Sequence, residues 1–467
     1  MKITQKSISL LLMLLLVFAM FSACGTPSAD NTGEDGTGVD EEVEYLDFNG
    51  REFIVATRST DESDLIIPSP ENISLEADAS RTKIALTEQL LNCKVSQIQL
   101  PATNVIMADV TSGTSSFDIG YGASYDEYGW YKAGLLLKLN DIEALDITDE
   151  SKWGTAEYLK SLSFKDEVYA LGLYAWSSGV GGAEGILLVN DGLVNQFNQP
   201  HPKELLEQGQ WTFETFLQYV QDVSDINADT PIYGMTIFPG QIFQLPLTAV
   251  FANGGTLIET DSDGRSIFGL DNSDALSSIE WAKSVYDTGV VKEEKGGGPA
   301  STFFSANEST LWLGGSWVGL DESEWAPLKN LNSFTWVTFP YGPKAEYGKT
   351  IASYNLARMG LAIPSDKDGE EVGYFMNILF SEREDFTFAQ KSENVKKQFF
   401  FDPADYDTAV NLSVNAVYTH LYAELSDVRD RFFNKLVSIV KGKSTPTEAI
   451  ASIKENIQTE IDKYLNS

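Results

Sequence analysis

The sequence predicts an α/β protein whose sheets are mainly parallel and flanked by helices. Apolar runs at 53–57 and 117–122 have the character of buried strands, and a third strand is expected at 94–100. Helical stretches at 81–91 and 104–111 separate them, and this alternation favours a parallel sheet with right-handed crossovers. Of the 467 residues, 43% are hydrophobic and 12% aromatic, which is enough to bury a large core and excludes a disordered acidic chain.

The first residues have the pattern of a secretory signal that ends at a cysteine. Lys2 and Lys6 precede an apolar run, 8–21, that is shorter than the roughly 20 residues a membrane span needs. The run leads into Ser22-Ala23-Cys24-Gly25, which resembles the bacterial lipobox. We therefore expect a signal peptide over 1–23 and lipidation of Cys24, the alternative being an ordinary signal peptide beside a coincidental cysteine.

An acidic tether is expected next, over 24–44. It is rich in small polar residues and contains seven acidic side chains and no basic one. Such a segment buries little apolar surface and repels itself, so it should be extended. The body of the protein would then be held at the outer face of the cell membrane by the lipid.

Charge and residue counts exclude several kinds of chemistry. A formal charge of −35 argues against a nucleic-acid partner, because the protein would repel phosphates. Two cysteines and two histidines are too few for a disulfide scaffold or a thiolate zinc site, so we expect no metal and no cofactor. The segment 261–264 is better explained as a hairpin turn than as a calcium loop. Cys93 is expected to be a buried thiol.

Several helices are predicted by their caps and apolar stripes. Thr445-Pro446-Thr447-Glu448 is a capping box that starts a C-terminal helix, and the helix before it should stop at Gly442. Thr212 is expected to cap a further helix, with Trp211 packed beneath it. Another helix is expected over 274–287.

A series of segments, taken in order, resembles the family 1 extracellular solute-binding proteins, the sugar-receptor class that includes maltose-binding protein. These segments are Phe117-Asp118-Ile119 with Gly134-Leu135-Leu136-Leu137-Lys138-Leu139, Lys165 to Leu171, Val189-Asn190-Asp191, Trp211-Thr212-Phe213-Glu214, Ala252 to Leu257, Phe303 to Trp317, and Gly360-Leu361-Ala362-Ile363-Pro364. Together they span residues 45–465, and the lipobox fits the same class.

The resemblance implies a two-lobed, periplasmic-binding-protein-like fold of type II, with a ligand cleft between lobes that each contain a mixed, mainly parallel sheet. Lobe one would comprise 45–168 with 303–360, and lobe two 169–302 with 361–467. The chain should cross between lobes near 165–171, 303–313 and 358–363. The implied function is capture of a carbohydrate by a monomer that delivers it to the membrane permease of an ABC importer, without catalysis.

The resemblance also indicates which side chains should contact the ligand. A sugar presents apolar C–H faces to aromatic rings and hydroxyls to polar side chains. The expected ligand-binding residues are Arg58, Tyr125, Asp126, Trp130, Trp176, Gln244 and Trp317. For each of them a structural role in the core or on the surface is the alternative.

Two other functional classes remain open at this stage. A secreted glycoside hydrolase needs two carboxylates across a cleft, but among 68 acidic residues no pair is specific. The sequence has no nucleophile elbow, phosphate-binding loop or zinc-protease motif. A receptor for peptides or cationic solutes is the other alternative, because the chain is strongly acidic.

Overall fold

The structure is a computed structural model of the 467-residue chain. It describes residues 44–57, 65–100, 103–123, 129–160, 162–164, 167–177, 183–294, 302–315, 328, 331–348, 354–355, 359–414, 417–418 and 426–466. Contacts within the chain divide it into a short unit, 1–45, and a large compact unit, 46–467. Everything below concerns the described residues of the large unit.

The large unit begins with the predicted alternation of strands and helices. Its elements are β1 (Arg51–Thr57), α1 (Leu75–Leu91), β2 (Cys93–Gln99), α2 (Thr103–Thr111) and β3 (Ile119–Ala123). Strand β1 pairs in parallel with β2 on one side and β3 on the other, which confirms the expected parallel sheet. A later strand, β14 (Met359–Ala362), adds to β3 in the antiparallel sense and completes a four-stranded sheet.

Local signals explain where α1 begins and ends. The Ser74 hydroxyl accepts a hydrogen bond from the Ala77 N–H, which satisfies an otherwise free donor of the first turn. Asn92 ends the helix with φ of 45°, in the left-handed region that asparagine tolerates. Cys93 follows at once as the first residue of β2, and its thiol is buried, as predicted.

Short elements connect this sheet to a larger one. They are the 3-10 helix Leu139–Asp141, α3 (Glu150–Trp153), α4 (Ala156–Lys160), β4 (Ser163–Phe164), β5 (Glu167–Val168) and the 3-10 helix Tyr174–Trp176. Just before the last of these, Leu171 and Leu361 exchange two backbone hydrogen bonds, of 3.0 and 2.8 Å. The chain at Leu171 therefore lies beside β14.

The larger sheet has seven strands among the described residues. They are β6 (Glu184–Asn190), β7 (Tyr233–Ile237), β10 (Val291–Glu293), β11 (Ser309–Gly315), β12 (Phe334–Thr338), β13 (Tyr354–Asn355) and β15 (Val417–Tyr418). The order is β10-β7-β11-β6-β13-β15, and β12 also pairs with β6. A separate hairpin, β8 (Ile258–Thr260) and β9 (Ser266–Phe268), is closed by Gly264 with φ of 79°, which confirms the predicted turn.

Strand β6 shows how the larger sheet is buried on both faces. All seven of its residues are buried, as is typical of a strand covered by other elements on each side. Ile186 and Leu188 contribute to one apolar cluster, which contains Trp312 and Trp336. Leu187 and Val189, on the opposite face, contribute to another cluster. The two-residue alternation of a strand therefore separates two cores.

The remaining helices cover these faces. They are α5 (Asp191–Gln196), α6 (Pro202–Glu207), α7 (Phe213–Asp222), α8 (Gln244–Ala252), α9 (Ser273–Asp287), α10 (Gly369–Leu379), α11 (Phe388–Phe399), α12 (Pro403–Val414), α13 (Ser426–Val440) and α14 (Pro446–Tyr464). The predicted capping box at Thr445 and the stop at Gly442, with φ of 69°, are both present. Thr212 caps α7 above the buried Trp211, as expected. None of the described helices combines the length and apolar character that crossing a membrane requires.

Strand pairing and helix packing differ from the expected division of the chain at two places. Strands β11 and β12 were assigned to lobe one within 303–360, but they are hydrogen-bonded to β6 in the larger sheet. Because β10 lies in that same sheet, the chain does not change sheets at 303–313. Helix α10, assigned to lobe two within 361–467, packs instead on α1 beside the smaller sheet. The reason is that the pairing of strands distant in sequence leaves no signal in the residues of either strand.

Candidate functional site

The carboxyl edge of the larger sheet is where a ligand site is expected. Strands β7 and β11 are parallel and end at Ile237 and Gly315. Strand β6 runs the other way, so its first residue, Glu184, pairs with Gly315 at this edge. Open α/β sheets bind ligands beyond the carboxyl ends of their strands. The start of β6 and the segment after β7 are therefore the described parts of the candidate site.

Helix α8 begins at this edge and brings Gln244 to it. All nine of its residues are buried, and Pro246 is tolerated because the first turn needs no internal N–H donors. Gln244, which is 0% exposed, donates from Nε2 to Glu184 Oε2 at 3.0 Å and to Gln241 Oε1. Its Oε1 atom has no hydrogen-bond partner among the described residues. The predicted residue therefore lies in a buried polar cluster with a carboxylate.

Thr248 lies one helical turn beyond Gln244 and faces the same strand. Its side chain is buried, and within the part of the chain that the structure describes its Oγ1 atom also has no hydrogen-bond partner. A Cβ atom added to Gly185 would lie 2.8 Å from Thr248 Cγ2, and Gly185 has φ of 84°. Only glycine suits both the short distance to Thr248 and the positive φ. It allows the start of β6 to approach α8 closely.

This cluster has the chemistry of a hydroxyl-recognition site. We use the term edge cluster for Glu184, Gln244 and Thr248. It combines a carboxylate, an amide and a hydroxyl, and two of its oxygens are buried without partners. A buried acceptor left unsatisfied costs about 1–3 kcal/mol, so a ligand hydroxyl donating to it would bind favourably. The described residues contain no group of three or more His, Cys, Asp or Glu side chains that could hold a metal ion.

The sequence did not predict that Thr248 and Gln241 would lie with Gln244. The available signal was the spacing of Gln244 and Thr248, two polar residues four apart in an otherwise apolar helix. Residues at this spacing share one face of a helix.

Four of the predicted ligand contacts and the lipidation site lie outside the described residues. Arg58 follows the last residue of β1 in the sequence, Tyr125 and Asp126 follow β3, and Trp317 follows β11. Cys24 belongs to the short N-terminal unit. The roles of these five residues stay predictions.

Trp130 lies in the core beside the smaller sheet. It is 2% exposed and packs against β3, where a Cβ atom added to Gly122 would lie only 2.8 Å from its ring. It shares an apolar cluster with Phe117 and Ala362. Its indole N–H has no hydrogen-bond partner. The structure thus places Trp130 in the core beside the smaller sheet, and contact with a ligand remains a prediction.

Trp176 lies against the end of α10. Its indole N–H donates to the Ser381 carbonyl at 3.0 Å, and the Arg383 guanidinium lies over its ring, 4.9 Å from the centroid. Only 7% of the residue is exposed. Because the ring and its N–H are occupied within the protein, little of Trp176 is presented to a ligand, and its role in binding stays a prediction.

The carbonyl of Trp176 is held by two cations. It accepts hydrogen bonds from Arg383 Nη2 at 3.3 Å and Lys391 Nζ at 2.9 Å, and both cations also pair with Glu76. Burial lowers the pKa of Lys391 and of Arg383, and the Glu76 carboxylate opposes this effect. Trp176, Trp130 and Gln244 therefore occupy three different clusters.

His201 and Asp191 do not form a catalytic arrangement with Ser333. His201 Nε2 and Ser333 Oγ both bond to Asp191, on Oδ1 and Oδ2, while His201 Nδ1 accepts the Lys203 N–H at 3.2 Å. A nucleophilic triad needs the serine to bond to the histidine instead. Burial raises the pKa of the Asp191 carboxyl, but hydrogen bonds from His201, Ser333 and Thr335 outweigh it, so the pKa is lowered.

Comparisons with known proteins identify the fold. No family model matches the chain, and no curated protein matches it in sequence. Among solved structures, the cyclic α-maltosyl-1,6-maltose-binding protein of Arthrobacter globiformis has a TM-score of 0.63 at 13% identity, over 89% of this chain and 100% of that one. The GacH receptor of Streptomyces glaucescens, also solved with acarbose, has a TM-score of 0.61 at 13% identity, over 89% and 99%.

A third structure of the same kind binds a different solute. UgpB of Mycobacterium tuberculosis, solved with glycerophosphocholine, has a TM-score of 0.58 at 13% identity, over 89% of this chain and 99% of that one. These neighbours are binding proteins rather than enzymes. The resemblance predicted from the sequence is thereby confirmed at the level of the fold: the chain has the α/β, periplasmic-binding-protein-like fold of the maltose-binding class of extracellular solute-binding proteins.

Proposed function

We propose that the protein is an extracytoplasmic lipoprotein that captures a carbohydrate at the carboxyl edges of its two sheets and delivers it to the permease of an ABC importer. The observation that carries this proposal is the edge cluster. Two buried oxygens of α8, Gln244 Oε1 and Thr248 Oγ1, lack partners, and a carboxylate lies beside them. Each of these oxygens has the capacity to accept a hydrogen bond, and a sugar hydroxyl would reach it once the groups that cover it move aside.

The fold supports the same proposal. Neighbours that match nearly nine tenths of this chain include proteins solved with oligosaccharides or named for binding them. One neighbour was solved with glycerophosphocholine, which also presents hydroxyl groups. A site that satisfies hydroxyls with buried acceptors discriminates strongly against analogues that lack them, because the acceptors are then left unpaired.

The predicted contacts outside the described residues complete the proposed site. Arg58, Tyr125 and Asp126 would contribute from the smaller sheet, and Trp317 from the end of β11. In this arrangement the ligand is held between groups from both sheets, with the aromatic ring of Trp317 on a sugar face and polar groups on its hydroxyls. Closure of the two halves on the ligand would be a hinge motion.

Calorimetric titration of the purified chain with a panel of ligands tests the proposal. The panel contains monosaccharides, maltose-type oligosaccharides and polyols, with peptides and polyamines as the competing class. We expect saturable heat from at least one carbohydrate and none from peptides or polyamines. Heat from the competing class alone would replace the proposal with the peptide or cation receptor, and turnover of a glycoside would replace it with the hydrolase.

Membrane attachment is proposed from the sequence and has its own test. Cells that express the chain with a C-terminal tag are labelled with a fatty-acid analogue, and the tagged protein is examined for label. We expect label on the original chain and none on the Cys24→Ser variant, which should appear unanchored. Equal labelling of both proteins would contradict a lipid on Cys24.

A further inference from the structure

A pocket of about 430 Å³ lies between the start of α7, the middle of α9 and the segment that follows β12. Its volume is within the range of small-molecule sites. It is separate from the edge cluster: Asn253, which lines it, follows the last residue of α8, about 13 Å along the helix from Gln244. Nothing in the carbohydrate proposal uses this pocket.

Four aromatic residues line the pocket in two pairs. Phe213 and Trp281 are stacked, with ring centroids 3.6 Å apart and an interplanar angle of 5°. Tyr341 and Tyr347 have centroids 4.4 Å apart. Aromatic rings attract cations through their electron-rich faces, and these two pairs contribute four rings to the pocket wall.

Hydrogen bonds fix these aromatic residues in place. The Trp281 indole N–H donates to the Phe213 carbonyl at 2.9 Å, and the Tyr347 hydroxyl donates to the Leu206 carbonyl at 2.8 Å. A Cβ atom added to Gly342 would lie 2.6 Å from Asn253 Cβ, so glycine is required next to Tyr341. The walls are therefore ordered before any ligand arrives, which reduces the entropy lost on binding.

The pocket carries negative charge. Among the described residues that line it, only Glu214 is formally charged at neutral pH, and its side chain is exposed. The positive end of α7 and the negative end of α8 both lie at the pocket and offset each other. Asn253 is occupied within the protein, because its Oδ1 accepts the Lys344 N–H and its Nδ2 donates to Ser278.

We propose that this pocket binds a small organic cation that carries a quaternary ammonium group. The aromatic residues would contact the alkyl groups and the charge together, and Glu214 would pair with the charge. A neutral solute gains the apolar contact without the electrostatic one, and an anion is repelled by Glu214 and by a chain of charge −35. The proposal is independent of the carbohydrate site.

Choline and its neutral isostere, 3,3-dimethylbutan-1-ol, test the proposal directly. Both are titrated into the full chain in a calorimeter at low ionic strength. We expect saturable binding of choline and binding of the isostere that is at least tenfold weaker. No saturable binding of choline, or equal binding of the two compounds, overturns the proposal.

Two variants locate the binding. Glu214→Gln should weaken choline about fivefold or more, and Tyr347→Ala should weaken both compounds. The matched control is Glu280→Gln, which removes an exposed carboxylate on α9 that does not line the pocket. Thermal unfolding is measured for each variant so that loss of fold is recognised. Choline binding that is unchanged in folded Glu214→Gln and Tyr347→Ala would place the cation elsewhere and contradict the proposal.

Discussion

Gln244 and Thr248 stand one turn apart on α8, and each contains a buried oxygen without a hydrogen-bond partner. Both residues adjoin the first two residues of β6: Gln244 bonds to Glu184, and Thr248 contacts Gly185. Buried polar groups are nearly always satisfied in native proteins, so two on one face of one helix require an explanation. We propose that a ligand that donates hydroxyls supplies it.

The first prediction concerns Thr248→Val, which removes the hydroxyl and keeps the shape of the side chain. Because Oγ1 has no partner, the free energy of unfolding of the ligand-free protein should fall by less than about 0.5 kcal/mol, or rise. Affinity for the carbohydrate should fall about tenfold, equivalent to roughly 1.4 kcal/mol. Urea denaturation and calorimetric titration measure the two quantities.

Thr236→Val is the matched control for this prediction. Thr236 is also buried, but its hydroxyl bonds to Ser309 Oγ at 3.0 Å within the sheet. Its replacement should therefore lower the free energy of unfolding by about 1–2 kcal/mol and leave carbohydrate affinity unchanged. The opposite pattern, with Thr248→Val destabilised and its affinity intact, would make Thr248 a purely structural residue.

The second prediction concerns Trp317, which should stack on a sugar face. Trp317→Ala should weaken carbohydrate binding by about 1 kcal/mol or more, because an aromatic contact of that size is lost. The fold should be retained, as judged by an unchanged cooperative unfolding transition. If affinity stays the same while unfolding shifts to lower urea, Trp317 belongs to the core.

The third prediction concerns the contact between β3 and Trp130. In Gly122→Ala the new Cβ atom would lie 2.8 Å from the buried ring of Trp130, so we expect a loss of about 1–3 kcal/mol in the free energy of unfolding. At Gly129 an added Cβ atom would meet no heavy atom within 4 Å, so Gly129→Ala should be within about 0.5 kcal/mol of the original. Equal stability of the two variants would contradict this packing.

The fourth prediction concerns acid stability and Asp191. Because folding lowers the pKa of Asp191, its carboxylate stabilises the fold above its unfolded pKa of about 3.9, and this contribution disappears as the pH falls through the folded pKa. Asp191→Asn should cost about 1–3 kcal/mol at pH 7, and the difference from the original chain should shrink below about pH 4.

Urea denaturation at a series of pH values measures this difference. The control is Asp229→Asn, which removes an exposed carboxylate in the loop between α7 and β7. It should have little effect on the free energy of unfolding at any pH. A loss of stability in Asp191→Asn that is the same at pH 3 and pH 7 would show that the charge of Asp191 is not what stabilises the fold.

The fifth prediction concerns the thiol of Cys93. Burial, together with the nearby Glu88 carboxylate, raises the pKa of this thiol to about 11. The thiolate is the reactive form, so at pH 8 the native protein should react with a disulfide reagent about a hundredfold more slowly than the unfolded chain. The Cys24→Ser chain leaves Cys93 as the sole thiol. Native and unfolded rates within a factor of ten would contradict the burial of Cys93.

Features with local causes were predictable from the sequence. The capping box at Thr445, the stop at Gly442 and the turn that ends at Gly264 depend on residues a few positions apart. The parallel pairing of β1 with β2 and β3 followed from the alternation of strands and helices. The burial of Cys93 was also predictable, because its sequence neighbours are those of a helix-to-strand junction.

Features that depend on distant partners were not predictable. Whether β11 joins one sheet or the other is decided by the registers of β6 and β7, which the sequence of 303–315 does not reveal. An indole such as that of Trp176 is suited equally to a core and to a sugar site, and only the position of Arg383 over the ring separates the two. The unpartnered oxygen of Gln244 likewise depends on where β6 begins.

The measurement that tests the account most directly is calorimetric titration of the original chain and the Thr248→Val and Gln244→Leu variants with the carbohydrate panel. The account predicts that one carbohydrate binds saturably to the original chain. It also predicts that the same carbohydrate binds each folded variant about tenfold more weakly, or worse. Saturable carbohydrate binding of equal affinity in all three proteins would contradict the edge cluster as the binding site, and no binding by any carbohydrate would contradict the proposed function itself.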